Sequence, residues 1–245
     1  MTLIGKRALV TGASRGIGRA CARALAAEGA EVTAVDVLDC DETTEMIRAD
    51  GGTASALRCD VSNEESVLAV FDQCYPADSP LDLLVHCAGI IHERPLLETP
   101  VSEFDQVIAV NLRGTFLVGR EALRSMTAAG GGRVVLTSSD LAYYGRETFS
   151  PYVASKHGVM GLVRSWAIEF APVINVNALC PGPIDTEMLG AASMSPEWRA
   201  RELNIPLNRF GQPEEVARMA VFLCGAGGAF ITGQGIGMNG GSVMP

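Results

Sequence analysis

A tyrosine and a lysine four positions apart, Tyr152 and Lys156, are the residues of this sequence best suited to proton transfer. Residues four apart lie on one face of a helix, so this spacing places an ammonium beside a phenol. A free phenol titrates near pH 10 and is a weak base at neutral pH. An ammonium in a cavity of low dielectric constant stabilises the phenolate, so we expect a lowered pKa for Tyr152. The pair indicates a general acid and base, although a surface helix pair would show the same spacing.

A glycine-rich segment lies between the first predicted strand and the first predicted helix, at residues 11–18. Gly12 permits a sharp turn, Gly16 lets a pyrophosphate approach the backbone, and Gly18 lets the helix pack closely on the sheet. The helix N-terminus then directs free N–H groups at the phosphates. The segment predicts a dinucleotide site rather than an ordinary glycine turn. Its remaining predicted cofactor contacts are Ser14, Arg15 and Ile17.

An acidic residue, Asp36, ends the second predicted strand. A carboxylate at this place accepts hydrogen bonds from the ribose hydroxyls of the adenosine half and repels a 2′-phosphate. No Lys or Arg follows at positions 37–39 to neutralise such a phosphate. We therefore expect NAD rather than NADP. Arg15 is the argument for NADP, because an arginine of the glycine-rich loop can reach a 2′-phosphate.

Short apolar strands alternate with helices along the whole chain, which is typical of βαβ units in an α/β protein with a parallel sheet and helices on both faces. We find no linker and expect a single domain over residues 1–245. The irregular segment from Pro181 to Gly211 is long for a connection, so we predict a substrate lid at about 183–211. In the glycine-rich tail we expect a turn and a last strand that bury Phe230, Ile231, Ile236 and Met238. The predicted strands are 8–10, 32–35, 54–57, 81–85, 133–136, 174–179 and 236–238.

Together and in this order, these motifs resemble the short-chain dehydrogenase/reductase family over essentially the whole chain. The resemblance rests on the glycine-rich segment and on six further features: Asp60, Ala88-Gly89, Asn111, Ser139, the Tyr152/Lys156 pair and Pro181-Gly182. It implies a doubly wound Rossmann fold with seven parallel strands, an NAD(P)-dependent oxidoreductase activity on CH–OH groups, and a homotetramer.

The resemblance also implies a role for each matching residue. Tyr152 would be the general acid and base, and Ser139 would hydrogen-bond the same substrate oxygen. Lys156 would hold the nicotinamide ribose and lower the pKa of Tyr152. Asn111 would kink its helix and hold a water that links Lys156 to solvent. The other implied cofactor contacts are Asp60, Val61, Cys87, Ala88, Gly89, Pro181, Gly182, Ile184 and Thr186, where Cys87 replaces the asparagine usual in the family.

Composition limits the partners of the chain. It has 245 residues, 48% of them hydrophobic, and a formal net charge of −9. An acidic protein repels nucleic-acid phosphates and anionic lipid, so neither is an expected partner, and no apolar run is long enough to span a membrane. Seven cysteines without C-x-x-C spacing indicate buried thiols in the reducing cytoplasm. No metal-ligand spacing is present.

Three loops are expected to wall the substrate, at residues 90–97, 140–149 and 183–205. They suggest an apolar alcohol or ketone of medium size, but the same side chains could be lid packing, and Arg94 and Arg146 leave room for an anion. The leading interpretation is an NAD-dependent dehydrogenase. The alternatives are a 3-oxoacyl carrier-protein reductase that uses NADPH and a non-catalytic dinucleotide-binding regulator. The apolar or aromatic residues of these loops are Ile91, Leu141, Tyr143, Tyr144, Phe149, Met188, Leu189, Met194 and Trp198.

Overall fold

Seven parallel strands form one sheet in the order β3-β2-β1-β4-β5-β6-β7, in a computed structural model that describes residues 3–245. The predicted α/β fold with a seven-stranded parallel sheet is confirmed. The strands are β1 (Arg7–Thr11), β2 (Glu31–Asp36), β3 (Thr53–Arg58), β4 (Leu83–His86), β5 (Gly132–Thr137), β6 (Ile174–Pro181) and β7 (Gly235–Met238). The helices are α1 (Gly16–Ala27), α2 (Asp41–Ala49), α3 (Glu64–Cys74), α4 (Val101–Ile108), α5 (Gly114–Ala129), α6 (Ser150–Phe170), α7 (Pro196–Glu202) and α8 (Pro213–Cys224).

Two apolar cores lie on opposite faces of the sheet. Helices α1, α2 and α8 cover one face, and α3, α5 and α6 cover the other. Successive residues of a strand point to opposite faces. Ala8 and Val10 therefore pack in the core under α1, α2 and α8, and Leu9 packs in the core under α3, α5 and α6. The central strands β1 and β4 are buried on both faces and mainly apolar, which is why short apolar runs predicted them.

The long helix between β4 and β5 is interrupted where the sequence places Asn111. A π-helical turn at Ala109–Arg113 separates α4 from α5. The Thr115 hydroxyl donates to the Asn111 carbonyl at 2.6 Å and so satisfies a backbone group within the irregular turn. The buried Asn111 side chain accepts from the Ile90 N–H at 2.8 Å and donates to the Ile90 carbonyl at 2.9 Å. The loop after β4 is thereby tied to the interrupted helix.

The order of the strands reverses between β1 and β4, and a crevice opens at their carboxyl ends, as is usual for open α/β sheets. Thr11 and His86 are paired in register there. The Thr11 hydroxyl accepts from the Cys87 and Ala88 N–H groups, so its proton goes to Nδ1 of the buried His86, 2.8 Å away. This junction fixes the chain segments on both sides of the crevice.

The tail differs from expectation at one residue. Ile231, Ile236 and Met238 pack against the core, but Phe230 is fully exposed. Phe230 follows a short 3₁₀ turn at Ala226–Gly228, and the neighbouring Ile231 takes the inward position instead. The predicted lid segment is partly regular, because it contains α7.

Candidate active site

A cavity of about 790 Å³ opens at the carboxyl ends of the strands, on both sides of the β1–β4 junction. Its lining includes Leu141, Tyr144, Phe149 and Met188 of the predicted substrate residues and every predicted catalytic and cofactor-binding residue except Ser14 and Asn111. Ser14 and Asn111 do not line the cavity. Ser14 is hydrogen-bonded to Asp36, and Asn111 is hydrogen-bonded to the backbone of Ile90. Of the loop residues expected to wall the substrate, Tyr143 and Met194 do not line the cavity, and the Tyr143 hydroxyl instead donates to the Gly235 carbonyl at 3.2 Å.

The glycine-rich turn forms one end of this cavity with its backbone. Gly12 has a positive φ of 66°, and a Cβ there would lie 2.7 Å from the Ala88 nitrogen. A Cβ on Gly18 would lie 2.0 Å from the Gly12 carbonyl oxygen, so only glycine lets α1 begin here. Helix α1 has no side-chain cap and no acidic residue in its first turn. Its free N–H groups therefore fit an anion such as a pyrophosphate.

Ser14 supports Asp36 rather than facing the cavity. Its N–H and hydroxyl donate to Asp36 Oδ2 at 3.2 and 2.8 Å, and the Leu38 N–H donates to Oδ1 at 3.0 Å. These bonds orient the Asp36 carboxylate, and the direct contact of Ser14 with a cofactor stays a prediction. The Arg15 side chain at the rim is exposed and forms no ion pair with any residue of the described part of the chain.

Tyr152 and Lys156 lie together on α6. The Lys156 Nζ is 5.5 Å from the centre of the Tyr152 ring and donates to the Thr137 carbonyl at 2.9 Å. Burial lowers the pKa of Lys156 to about 8 and raises the pKa of Tyr152 to about 12. The hydrogen bond with Ser139 lowers the pKa of Tyr152, and the charge of Asp140 raises it. Loss of water around the phenolate is the largest cause, so the pKa of Tyr152 moves upward, opposite to the direction expected from the nearby Lys156.

Sequence reasoning missed a buried carboxylate beside Ser139. Asp140 Oδ1 accepts from the Ser139 hydroxyl at 3.0 Å and the Leu141 N–H at 2.8 Å. Its Oδ2 accepts from the Tyr144 hydroxyl at 3.2 Å and the Ser242 hydroxyl at 2.6 Å. A charged residue directly after Ser139 was the only sequence signal, and nothing in the sequence connected it with Ser242 in the tail.

His86 and Cys87 stand at the end of β4. With its Nδ1 accepting from Thr11, His86 carries its proton on Nε2, and this buried atom has no hydrogen-bond partner in the described residues. Burial lowers the pKa of His86 to about 3, so the ring is neutral. The Cys87 sulfur lines the cavity and accepts from the Thr137 hydroxyl at 3.3 Å. A hydrogen bond with Cys21 holds the pKa of Cys87 below its ordinary value.

The substrate end of the cavity is more polar than expected. The Arg146 guanidinium lies 4.8 Å from the centre of the Phe149 ring and 5.0 Å from that of Trp198. It pairs with the buried Glu202 of α7. A second ion pair joins Arg201 of α7 to Glu147 at 2.7 Å. Both pairs connect the loop after β5 with the segment predicted as a lid.

Residues 3–245 lack two features. No group of three or more His, Cys, Asp or Glu side chains in that range is placed to hold a metal ion. In the same part of the chain, no helix has the length and apolar character needed to cross a membrane.

Comparison with known proteins agrees with this geometry. The family model described as "Enoyl-(Acyl carrier protein) reductase" matches residues 12–242. A 3-oxoacyl-[acyl-carrier-protein] reductase of Aquifex aeolicus is 38% identical over 98% of both chains. A cis-4-hydroxycyclohexanecarboxylate dehydrogenase of Sinomonas cyclohexanicum is 40% identical over 96% of this chain and 95% of its own.

A solved structure extends the comparison. A 2-deoxy-d-gluconate 3-dehydrogenase candidate from Agrobacterium tumefaciens, with bound NADP, superposes with a TM-score of 0.91 at 37% identity, over 98% of this chain and 96% of the other. The chain belongs to the short-chain dehydrogenase/reductase family. It is an NAD(P)-dependent oxidoreductase of small molecules, acting on CH–OH or carbonyl groups.

Proposed function

We propose that this protein is an NAD-dependent dehydrogenase that interconverts a secondary alcohol and its ketone, with Tyr152 as general acid and base. The observation that carries the proposal is that Ser139, Tyr152 and Lys156 line the same cavity as the glycine-rich turn. When bound, the dinucleotide supplies or accepts the hydride. The chain therefore has to position the reacting carbon and move one proton.

In the proposed reaction, Tyr152 gives its phenolic proton to the carbonyl oxygen during reduction and takes the proton of the hydroxyl during oxidation. A pKa of about 12 keeps the phenol protonated at neutral pH, which suits proton donation during reduction, whereas oxidation requires the phenolate form of Tyr152 to accept the proton. We propose that Lys156 holds the nicotinamide ribose and that Ser139 contacts the substrate oxygen. Asn111 supports the loop after β4, and its water relay stays a prediction.

The preference for NAD is proposed from Asp36. Its carboxylate is held by Ser14 and Leu38 at the adenosine end, where a 2′-phosphate would meet a negative charge. The exposed Arg15 and the NADP bound to the Agrobacterium tumefaciens structure are arguments for NADP. The remaining predicted cofactor contacts are proposed for either dinucleotide: Asp60, Val61, Cys87, Ala88, Gly89, Pro181, Gly182, Ile184 and Thr186.

A second candidate function is the reduction of 3-oxoacyl thioesters with NADPH, which the Aquifex aeolicus relative favours. The net charge of −9 opposes docking of an acidic carrier protein. A non-catalytic regulator would not need an intact set of Asn111, Ser139, Tyr152 and Lys156. The substrate lid at 183–211, the homotetramer and the cytoplasmic location stay predictions.

Initial rates on secondary alcohols, polyols and 3-oxoacyl thioesters, each with NAD or NADP and its reduced form, test the proposal. We expect alcohol oxidation with NAD, and a loss of about 1000-fold in kcat/KM for Tyr152→Phe, because the variant cannot carry the proton. Tyr143→Phe is the matched control, since this hydroxyl lies outside the cavity. Full activity of Tyr152→Phe, or reduction of thioesters with NADPH alone, would contradict the proposal.

A further inference from the structure

The buried Asp140 uses all of its hydrogen-bonding capacity inside the protein. A carboxylate only accepts and has about four acceptor positions. Asp140 fills them with the Ser139, Tyr144 and Ser242 hydroxyls and with the Leu141 N–H. The carboxylate is therefore saturated, and it acts on a ligand only through the hydroxyl groups that it holds.

Each of these hydroxyls has one proton and two lone pairs. The protons of Tyr144 and Ser242 point to Asp140 Oδ2, and both side chains line the cavity. The Tyr144 and Ser242 hydroxyls can therefore accept a hydrogen bond from a molecule in the cavity but cannot donate one to it. A ligand satisfies them with O–H groups, whereas an ether, carbonyl or carboxylate oxygen placed there would leave two acceptors facing each other.

The charges near the Tyr144 and Ser242 hydroxyls also disfavour an anionic substrate. Arg146 is paired with Glu202, and Arg201 with Glu147, so the guanidinium groups of both arginines are neutralised. Asp140 remains without a cationic partner. A substrate carboxylate beside Tyr144 and Ser242 would therefore be repelled by the charge of Asp140, while a neutral hydroxylated molecule would not.

We propose that Asp140 is a specificity-determining positioning residue, which makes Tyr144 and Ser242 accept hydrogen bonds and so selects a neutral substrate with a hydroxyl next to the reacting carbinol. The substrate class is then a vicinal diol or a longer polyol. This inference rests on the proposed dehydrogenase function and assigns its substrate class.

Three probes that share the carbinol carbon and differ at its neighbour test the inference: 2,3-butanediol, 3-methoxy-2-butanol and 2-butanol. With NAD, we expect kcat/KM for the diol to exceed that for the methyl ether by about tenfold or more, because the ether oxygen cannot donate to Tyr144 or Ser242. In Asp140→Asn, the amide NH₂ would donate to these hydroxyls and release their protons toward the cavity. The ratio of kcat/KM for the diol to kcat/KM for the methyl ether is then expected to be about threefold or less.

The measured quantity is the ratio of kcat/KM for the diol to kcat/KM for the methyl ether on the same enzyme. A smaller fraction of folded protein lowers both values equally and leaves the ratio unchanged. Tyr144→Phe removes one of the two acceptors and should lower the ratio, while Tyr143→Phe should not change it. Equal rates on the diol and the methyl ether in the wild type, or an unchanged ratio in Asp140→Asn, would overturn the inference but leave the dehydrogenase standing. Absence of NAD reduction with every alcohol would overturn the proposed function as well.

Discussion

The two ends of the cavity are built in different ways. The end at the glycine-rich turn is built on the backbone of Gly12 and of residues 15–18, beside the Asp36 carboxylate at the end of β2. The substrate end is formed by side chains from three separate segments, the loop after β5, helix α7 and the tail after β7. A site formed by the backbone requires room for the chain to turn and a helix N-terminus that points at the ligand. A site formed by side chains requires that each charged or polar group keeps its hydrogen-bond or ion-pair partner.

The difference predicts which substitutions impair each end of the cavity. At the glycine end a single added methyl group should be severe, because nothing can move aside. At the substrate end, loss of one partner should be severe only when it leaves a buried charge or donor without its acceptor. Three substitutions, at Gly18, Glu202 and His86, test this contrast.

The largest effect is expected at Gly18. In Gly18→Ala the new Cβ would overlap the Gly12 carbonyl, 2.0 Å away, so the turn must shift from beneath the phosphates. We expect the affinity for NAD to fall by about 100-fold or more, measured by fluorescence titration. Gly161→Ala on α6 is the control, because a Cβ there meets nothing within 4 Å. NAD affinity close to wild type in Gly18→Ala would refute this account of the turn.

A smaller effect is expected at the ion pair of the substrate end. Glu202→Gln leaves the Arg146 guanidinium buried without a counter-charge, which costs about 3 kcal/mol of unfolding free energy. We expect the KM for the alcohol to rise by about tenfold and the affinity for NAD to stay within about twofold.

The double variant Arg146→Met/Glu202→Leu provides the control for this pair. It removes both charges and should recover most of the lost stability in denaturant unfolding. A double variant as unstable as Glu202→Gln would show that packing of these side chains, and not the unpaired charge, is responsible.

The smallest effect is expected at His86, beneath the junction of the two ends. Its folded pKa of about 3 lies below the ordinary 6.5, so the unfolded chain binds the proton first. The free energy of unfolding therefore falls as the pH drops from about 6.5 toward 3, by about 2 kcal/mol at pH 5. His86→Asn should lose this contribution to acid sensitivity, measured by denaturant unfolding at pH 7.5 and pH 5.

The exposed His157 on α6 gives the matched substitution. His157→Asn should keep the wild-type slope of stability against pH. If His86→Asn keeps that slope as well, then the acid sensitivity arises from other groups.

The strands and helices could be predicted because each is coded locally, by apolar runs that fit a sheet covered on both faces and by helical periodicity. The glycine-rich turn and the pairing of Tyr152 with Lys156 were predictable for the same reason, since each depends on spacing within a single turn or helix. Phe230 shows the limit, because its apolar character predicted burial while the local turn gave the inward position to Ile231.

The sequence by itself determined the parallel sheet, the dinucleotide end of the cavity and the residue types available for proton transfer, because these features depend on near neighbours in the chain. Only the tertiary structure decided that burial raises the pKa of Tyr152 and that Ser14 orients Asp36. It alone brought Ser242 to Asp140 and Glu202 to Arg146. Contacts between distant segments carry no fixed spacing, so they can be identified only after the chain has folded.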